Sequence, residues 1–242
     1  MAELIYGKNS VILALQAGRV KKIFVTHSSK DVRIISLAKA KNISLQYMEN
    51  SKLTNLVKNH NHQGVVAQVS DYKYYSLTDL INDGKKVINP IIVMLDGIED
   101  PHNLGAILRI VDAFNALGVV IKKTNQVPLN ATVSKVSTGA INFVKVVEVS
   151  NLTNAINKLK EEKYWVVATD GDAKNSYTQI DYNMPVVLII GSEGKGISRL
   201  VKEKSDYLVK IPMYGHVNSL NASNALSVIL SNIINIRNSP KK

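Results

Sequence analysis

The chain has 242 residues, 45% apolar and 20% charged, with 30 Lys+Arg against 19 Asp+Glu, a formal net charge of +11 and no Cys. That balance buries a core and excludes wholesale disorder, and the length fits one large domain or two small ones. No apolar run reaches the roughly 20 residues that cross a bilayer, and Met1–Tyr6 lacks signal-peptide architecture, so a cytoplasmic protein is expected. The lack of Cys excludes disulfides, Cys-ligated zinc, iron–sulfur clusters and thiolate nucleophiles.

Positive charge is concentrated early: residues 1–88 carry a net +7 and residues 89–242 a net +4. A sequence pI near 9.6 favours a polyanionic partner such as nucleic acid. The 25 Lys against five Arg, among abundant Asn and Ile, read equally well as the coding bias of an A+T-rich genome.

In chain order, Ser10 is positioned to cap a helix over Val11–Ala17, with Gly18 as its stop. Lys22–Thr26 reads as a strand, Val32–Ala40 as a helix, Ile43–Met48 as a strand, Leu53–Lys58 as a short helix and Gly64–Val69 as a strand. This alternation predicts a small α/β sandwich. The polar, Tyr-rich stretch Asp71–Asn89 reads as a linker or peripheral segment, with room for a short helix around Ser76–Ile81.

The remainder has longer units. Strands fit Pro90–Leu95, Val119–Lys122, Lys145–Val149, Tyr164–Thr169, Val186–Ile190 and Tyr207–Ile211. Helices fit Leu104–Leu117, Ala131–Ala140, Leu152–Glu162, Ser198–Lys204 and Ala222–Arg237. Strands alternating with helices imply a parallel sheet, whose ligand sites lie at the carboxyl ends of the strands.

Three strand-exit loops carry chemistry. The first runs from Leu95 to Arg109; in it Asn103 reads either as a helix cap or as a functional amide, and Arg109 either as a solvated helix residue or as a bidentate anion contact. The second, Gly191-Ser-Glu-Gly-Lys-Gly196, is Gly-rich but fits neither the P-loop order nor G-x-G-x-x-G. Glu193 within it is more suggestive than the glycines. The third, Ile211 to Asn224, crowds Asn218, Ser219, Asn221, Ser223 and Asn224 around Leu220, more polar groups than a helix cap needs. His60 and His62 lack the spacing of a metal site, and no metal is expected.

Taken in order, Asn103…Arg109, Ile190-Gly-Ser-Glu-Gly-Lys-Gly196 and Ile211-Pro-Met…Asn218-Ser-Leu-Asn221 resemble the SpoU/TrmH family of RNA ribose 2′-O-methyltransferases in the SPOUT superfamily. The resemblance spans the chain, and the Leu95–Asn103 wording with the basic N-terminal segment is most similar to the bacterial 23S rRNA guanosine enzymes of that family. It implies an α/β fold: a small L30e-like RNA-binding domain over 1–72, a linker over 73–89, and a parallel-sheet SPOUT domain with a deep trefoil knot over 90–242. It also implies S-adenosylmethionine as cofactor and a homodimer with a shared active site. The backbones of Gly191, Ile211 and Leu220 would wrap the cofactor, with Thr169 and Gly196 beside them. Arg109 would act on the 2′-hydroxyl, while Asn103, Glu193, Ser219 and Asn221 orient Arg109, ribose and cofactor.

A methyl transfer of this kind is an in-line displacement that needs no metal and no Cys adduct. Arginine stays protonated in ordinary protein settings, so Arg109 is expected to position and polarise rather than to act as a base. Alternatives are a tRNA or resistance-type rRNA substrate within the same family, or a non-catalytic dimeric RNA-binding protein.

Overall fold

The computed structural model describes residues 3–29 and 31–238, and these fall into two compact units. The first unit opens with β1 (Glu3–Tyr6), α1 (Lys8–Gln16), β2 (Val20–Thr26), α2 (Val32–Ala40), β3 (Ser44–Met48), α3 (Asn50–Val57) and β4 (Val65–Val69). Its sheet has the order β1-β4-β2-β3, with β2 and β3 parallel and both other pairs antiparallel. Alternate residues Ile23 and Val25 of β2 and Val65 and Ala67 of β4 point to one face, where Val11, Leu15, Ile34 and Ala38 bury against them. Asp31 caps α2 through the amides of Arg33 and Ile34, as its short carboxylate favours. α1 starts earlier than expected: Gly7, with φ +91°, precedes Lys8, and Ser10 lies inside the first turn.

The second unit begins at Tyr74 with α4 (Leu77–Gly84), β5 (Ile91–Asp96), α5 (Pro101–Ala113) and β6 (Gly118–Lys122). The chain then returns to the first unit over Leu129–Phe143, which holds α6 (Ala131–Val136). It resumes the second unit with β7 (Lys145–Val149), α7 (Leu152–Glu161), β8 (Trp165–Thr169), β9 (Asn175–Ser176), β10 (Val186–Gly191), α8 (Arg199–Lys204), β11 (Tyr207–Lys210) and α9 (Ala222–Asn238). Its seven strands are all parallel, in the order β7-β6-β5-β10-β8-β11-β9. The continuous apolar runs of β5 and β10 are buried until their last residues, Asp96 and Gly191, which pair with each other. That pair marks where the strand order reverses, the place where open parallel sheets open a crevice. α9 packs against α5, burying Leu226, Ile229, Leu230 and Ile233 at helical spacing. Its end is held by Arg237, whose guanidinium donates to the carbonyls of Asn89, Tyr182 and Met184 at 2.7–3.0 Å.

Two expectations about domain limits are corrected. The 73–89 stretch is not a linker: Tyr75 N–H donates to Val146 O at 2.9 Å, Ser76 and Asp79 form a capping box for α4, and Leu80 and Ile81 bury in the second core. Leu77, Leu80 and Ile81 share one helical face, and burying that face outweighs the polar residues around it. The 90–242 span is likewise interrupted, because 129–143 packs with the first unit and only Ala131–Val136 of the predicted Ala131–Ala140 helix is α-helical. The helix ends at Val136, and Gly139, at φ +90°, precedes a one-turn helix over Ala140–Asn142; a Cβ there would meet Leu13 at 2.3 Å, so only glycine lets this segment approach α1. Arg19 then bonds Asn142 Oδ1 and Ser70 O, each at 2.7 Å, beneath the ring of Tyr72.

Candidate active site

The carboxyl ends of β8, β10 and β11 surround a cavity of about 470 Å³. Thr169, Gly191, Gly196, Ile211 and Leu220, the five expected cofactor residues, all line it, together with Ser219 and Glu193. Its floor is the Gly-rich loop after β10. That loop closes on itself, since the amides and carbonyls of Ser192 and Gly196 bond each other at 2.9 and 3.2 Å. A Cβ on Gly191 would meet the carbonyl carbon of Gly196 at 2.3 Å and the amide nitrogen of Ile197 at 2.7 Å. Gly191 is therefore required by the closure itself, and Gly196, at φ +64°, by the turn.

Asp96 clamps the same loop from the neighbouring strand. Its backbone carbonyl accepts from Ser192 N–H at 3.1 Å, and its carboxylate Oδ2 accepts from Ser198 N–H at 2.8 Å. Sequence reasoning passed over Asp96; the signal available was an acidic residue ending a wholly apolar strand. A second pair at the cavity also went unseen, Asp170 with Lys202 at 2.7 Å. Burial alone would raise the Asp170 carboxyl, but hydrogen bonds from Lys202 and Asp172 N–H hold it below its ordinary value, so it remains an anion there.

Three of the expected catalytic residues meet in a closed ring. Asn103 Nδ2 donates to Glu193 Oε1 at 3.0 Å, Asn221 Nδ2 donates to Asn103 Oδ1 at 2.8 Å, and Asn221 Nδ2 also donates to Glu193 Oε1 at 2.5 Å. They arrive from the start of α5, the Gly-rich loop and the residue before α9, separated by up to 118 positions. Asn103 is free to join because it does not cap α5: Asp100 does, accepting from His102 N–H at 2.8 Å with Pro101 at the first helical position. Ser219 lines the cavity and bonds Asn218 at 3.4 Å, outside the ring. Arg109 is exposed on α5 and does not line the cavity.

His62 is no ligand: its Nδ1 accepts from Gly64 N–H at 3.0 Å and Nε2 bonds Thr54 at 3.1 Å in a buried site, and burial lowers its pKa. No group of His, Asp and Glu suited to a metal occurs among the described residues.

Sequence comparison adds what geometry alone does not. Residues 90–231 match the model of the SpoU rRNA methylase family, and residues 4–75 match that of an RNA 2′-O ribose methyltransferase substrate-binding domain. The chain belongs to the SpoU methylase family. Its SpoU relatives include YacO of Bacillus subtilis, assigned by name to the TrmH family of tRNA/rRNA methyltransferases, at 44% identity over 241 residues covering 98% of this chain and 96% of the relative. A TrmH-family protein of Staphylococcus haemolyticus is also 44% identical, over 94% of this chain and 93% of its own. The SpoU methyltransferase AviRb of Streptomyces viridochromogenes, solved with S-adenosylmethionine, superposes with a TM-score of 0.83 at 24% identity over 97% of this chain and 90% of its own. An rRNA methyltransferase of Sinorhizobium meliloti, also solved with S-adenosylmethionine, gives 0.82 at 24% identity over 99% and 88%. The SPOUT fold expected from the three loops is therefore the fold observed, an α/β architecture with a parallel sheet and an N-terminal α/β domain. The family acts on RNA as a methyltransferase, which also meets the expectation of a polyanionic partner.

Proposed function

We propose that the chain transfers the methyl group of S-adenosylmethionine to a ribose 2′-hydroxyl of RNA, on a guanosine of 23S rRNA, as a cytoplasmic homodimer. The observation that carries this reading is the Asn103–Glu193–Asn221 ring beside a cavity whose floor is a backbone-closed glycine loop. A cavity of about 470 Å³ suits a nucleoside-sized ligand, and ligand pockets generally span roughly 300–1,000 Å³. Ile190, Ile211, Leu220 and Ala222 give its wall apolar surface for a purine, while the loop backbones offer donors and acceptors to fix its orientation. Bound there, S-adenosylmethionine supplies an electrophilic methyl on a sulfonium.

The chain's own residues do the rest. Gly191, Gly196, Ile211 and Leu220 hold the cofactor, with Thr169 at the cavity edge, its hydroxyl tied to Ile189 O at 3.2 Å. Glu193 takes two amide N–H groups on Oε1, which leaves Oε2 as an acceptor for an incoming hydroxyl or cation. Ser219, unbound to the ring, is available to the ribose. Arg109 stands outside its own chain's cavity and would be supplied by a second copy, its guanidinium polarising the 2′-hydroxyl and holding the adjacent phosphate. The first unit, with the basic early part of the chain, would capture the RNA.

The test is methylation of rRNA in vitro by the purified protein with labelled S-adenosylmethionine, followed by mapping of ribose methylation. A single 2′-O-methylguanosine in 23S rRNA is expected. Label on tRNA or on another rRNA site moves the substrate within the family, and no label on any RNA overturns the enzyme reading.

A further inference from the structure

We propose that Ser223 is a positioning residue for methyl transfer, acting through Asn221; the inference rests on the function proposed above. A carboxamide has two ends of nearly equal size and opposite hydrogen-bonding character, so shape does not set its orientation. In the ring, the amide end of Asn221 faces Asn103 Oδ1 at 2.8 Å and Glu193 Oε1 at 2.5 Å, both acceptors. A reversed Asn221 would set three acceptors against one another and open the ring.

What holds the productive orientation lies on the far side. Asn221 Oδ1 accepts from both the N–H of Ser223 at 2.9 Å and its hydroxyl Oγ at 2.6 Å. The backbone half of this contact is an ordinary helix N-cap at the start of α9, and it explains a cap residue at 221 but not the hydroxyl at 223. Ser223 is only 7% exposed, so little water competes for that bond. The helix start thereby uses the carbonyl end of Asn221 and leaves its N–H groups for the site. Serine and aspartate cap helices as well as asparagine does, yet neither carries a donor amide at its other end. The hydroxyl of Ser223 adds a second donor to the end that must point away from the ring.

The test is a double-mutant cycle on the full-length protein with Ser223→Ala, Asn221→Ala and the pair together. Single-turnover methylation at saturating S-adenosylmethionine and RNA is read beside calorimetric affinity for S-adenosylhomocysteine. Ser223→Ala removes one hydrogen bond and keeps the backbone cap, so the rate is expected to fall about five- to tenfold, with S-adenosylhomocysteine affinity unchanged. In the Asn221→Ala background the same change is expected to have no further effect on rate, because the group it orients is gone. A purely structural serine would slow both backgrounds alike, and that result overturns the inference. So does a normal rate for Ser223→Ala while the wild type turns over. A wild type without turnover overturns the proposed function itself, and this inference with it.

Discussion

The two halves of the site are made of different material. The loop from Gly191 to Gly196 takes its shape from backbone packed against backbone, too close for a Cβ at its first residue. The Asn103–Glu193–Asn221 ring is made of side chains from three distant segments, joined by hydrogen bonds rather than by backbone packed on backbone. The difference teaches how each half fails. Damage to the loop removes the shape of the cavity, and with it binding; damage to the ring leaves a cavity whose polar groups are misaligned, which shows in rate.

The loop and Arg109 carry the two largest expected effects, the first on binding and the second on rate. Gly191→Val forces Cβ into the Gly196 carbonyl and reopens the closure, so S-adenosylhomocysteine affinity is expected to fall on the order of 100-fold or more, about 2.8 kcal/mol. Titration calorimetry on the folded variant measures this, and binding near wild type would erase the contrast between the halves. Next is Arg109. If its fork meets hydroxyl and phosphate together, Arg109→Lys and Arg109→Ala both lose on the order of 10²–10³ in single-turnover rate while cofactor affinity holds. A normal rate in Arg109→Ala would make it a solvated helix residue.

Glu193→Gln sharpens the comparison at the ring. Its carbonyl still accepts both amides, but the charge is gone, and a charge-assisted hydrogen bond is roughly twice as strong as a neutral one. A rate loss of about tenfold is expected from a deficit near 1.4 kcal/mol, again with unchanged cofactor affinity; weakened cofactor binding would mean the ring belongs to the binding half.

The smallest effect lies in the first unit and touches stability alone. Burial pushes the Glu3 carboxyl up to about 7 against its ordinary 4.5, and the Arg19 guanidinium, 3.9 Å away and so beyond hydrogen-bond range, only partly offsets this. A carboxyl with a raised folded-state pKa binds more protons folded than unfolded, so stability falls as pH rises from about 4.5 to about 7. Glu3→Gln removes that slope, and with solvent screening of the partly exposed carboxylate it is expected to raise stability at pH 8 by less than about 1 kcal/mol. Urea unfolding of both proteins between pH 5 and pH 8 checks it; parallel curves would contradict the burial argument.

What was legible in the sequence follows the range over which each signal acts. The buried strand Val186–Gly191 announces itself by continuous apolar character, and α2 by its period together with Asp31 at the cap. The four-residue edge strand β1 carries too little alternation to be seen. The capping role weighed for Asn103 lost to Asp100, because proline at 101 fits the first helical position and sets the start three residues earlier. The return of 129–143 to the first unit depends on Leu13, Arg19 and Tyr6, more than a hundred positions away, and no local pattern encodes it. Arginine is scarce, at five residues, and two besides Arg109 have a structural use that no local pattern marks. Arg19 and Arg237 both use the guanidinium fork to tie segments together, each at acceptors more than fifty positions distant.

The central claim, ribose methylation from a cofactor held on the glycine loop, is tested most directly on RNA product. Wild-type protein, S-adenosylmethionine and unmethylated 23S rRNA are incubated, and the RNA is digested to nucleosides and analysed by mass spectrometry. One new 2′-O-methylguanosine per RNA is expected, with far less product from Gly191→Val at the same S-adenosylmethionine concentration, set near the wild-type Kd. Methylation on a base, or equal product from the Gly191→Val protein, would contradict it.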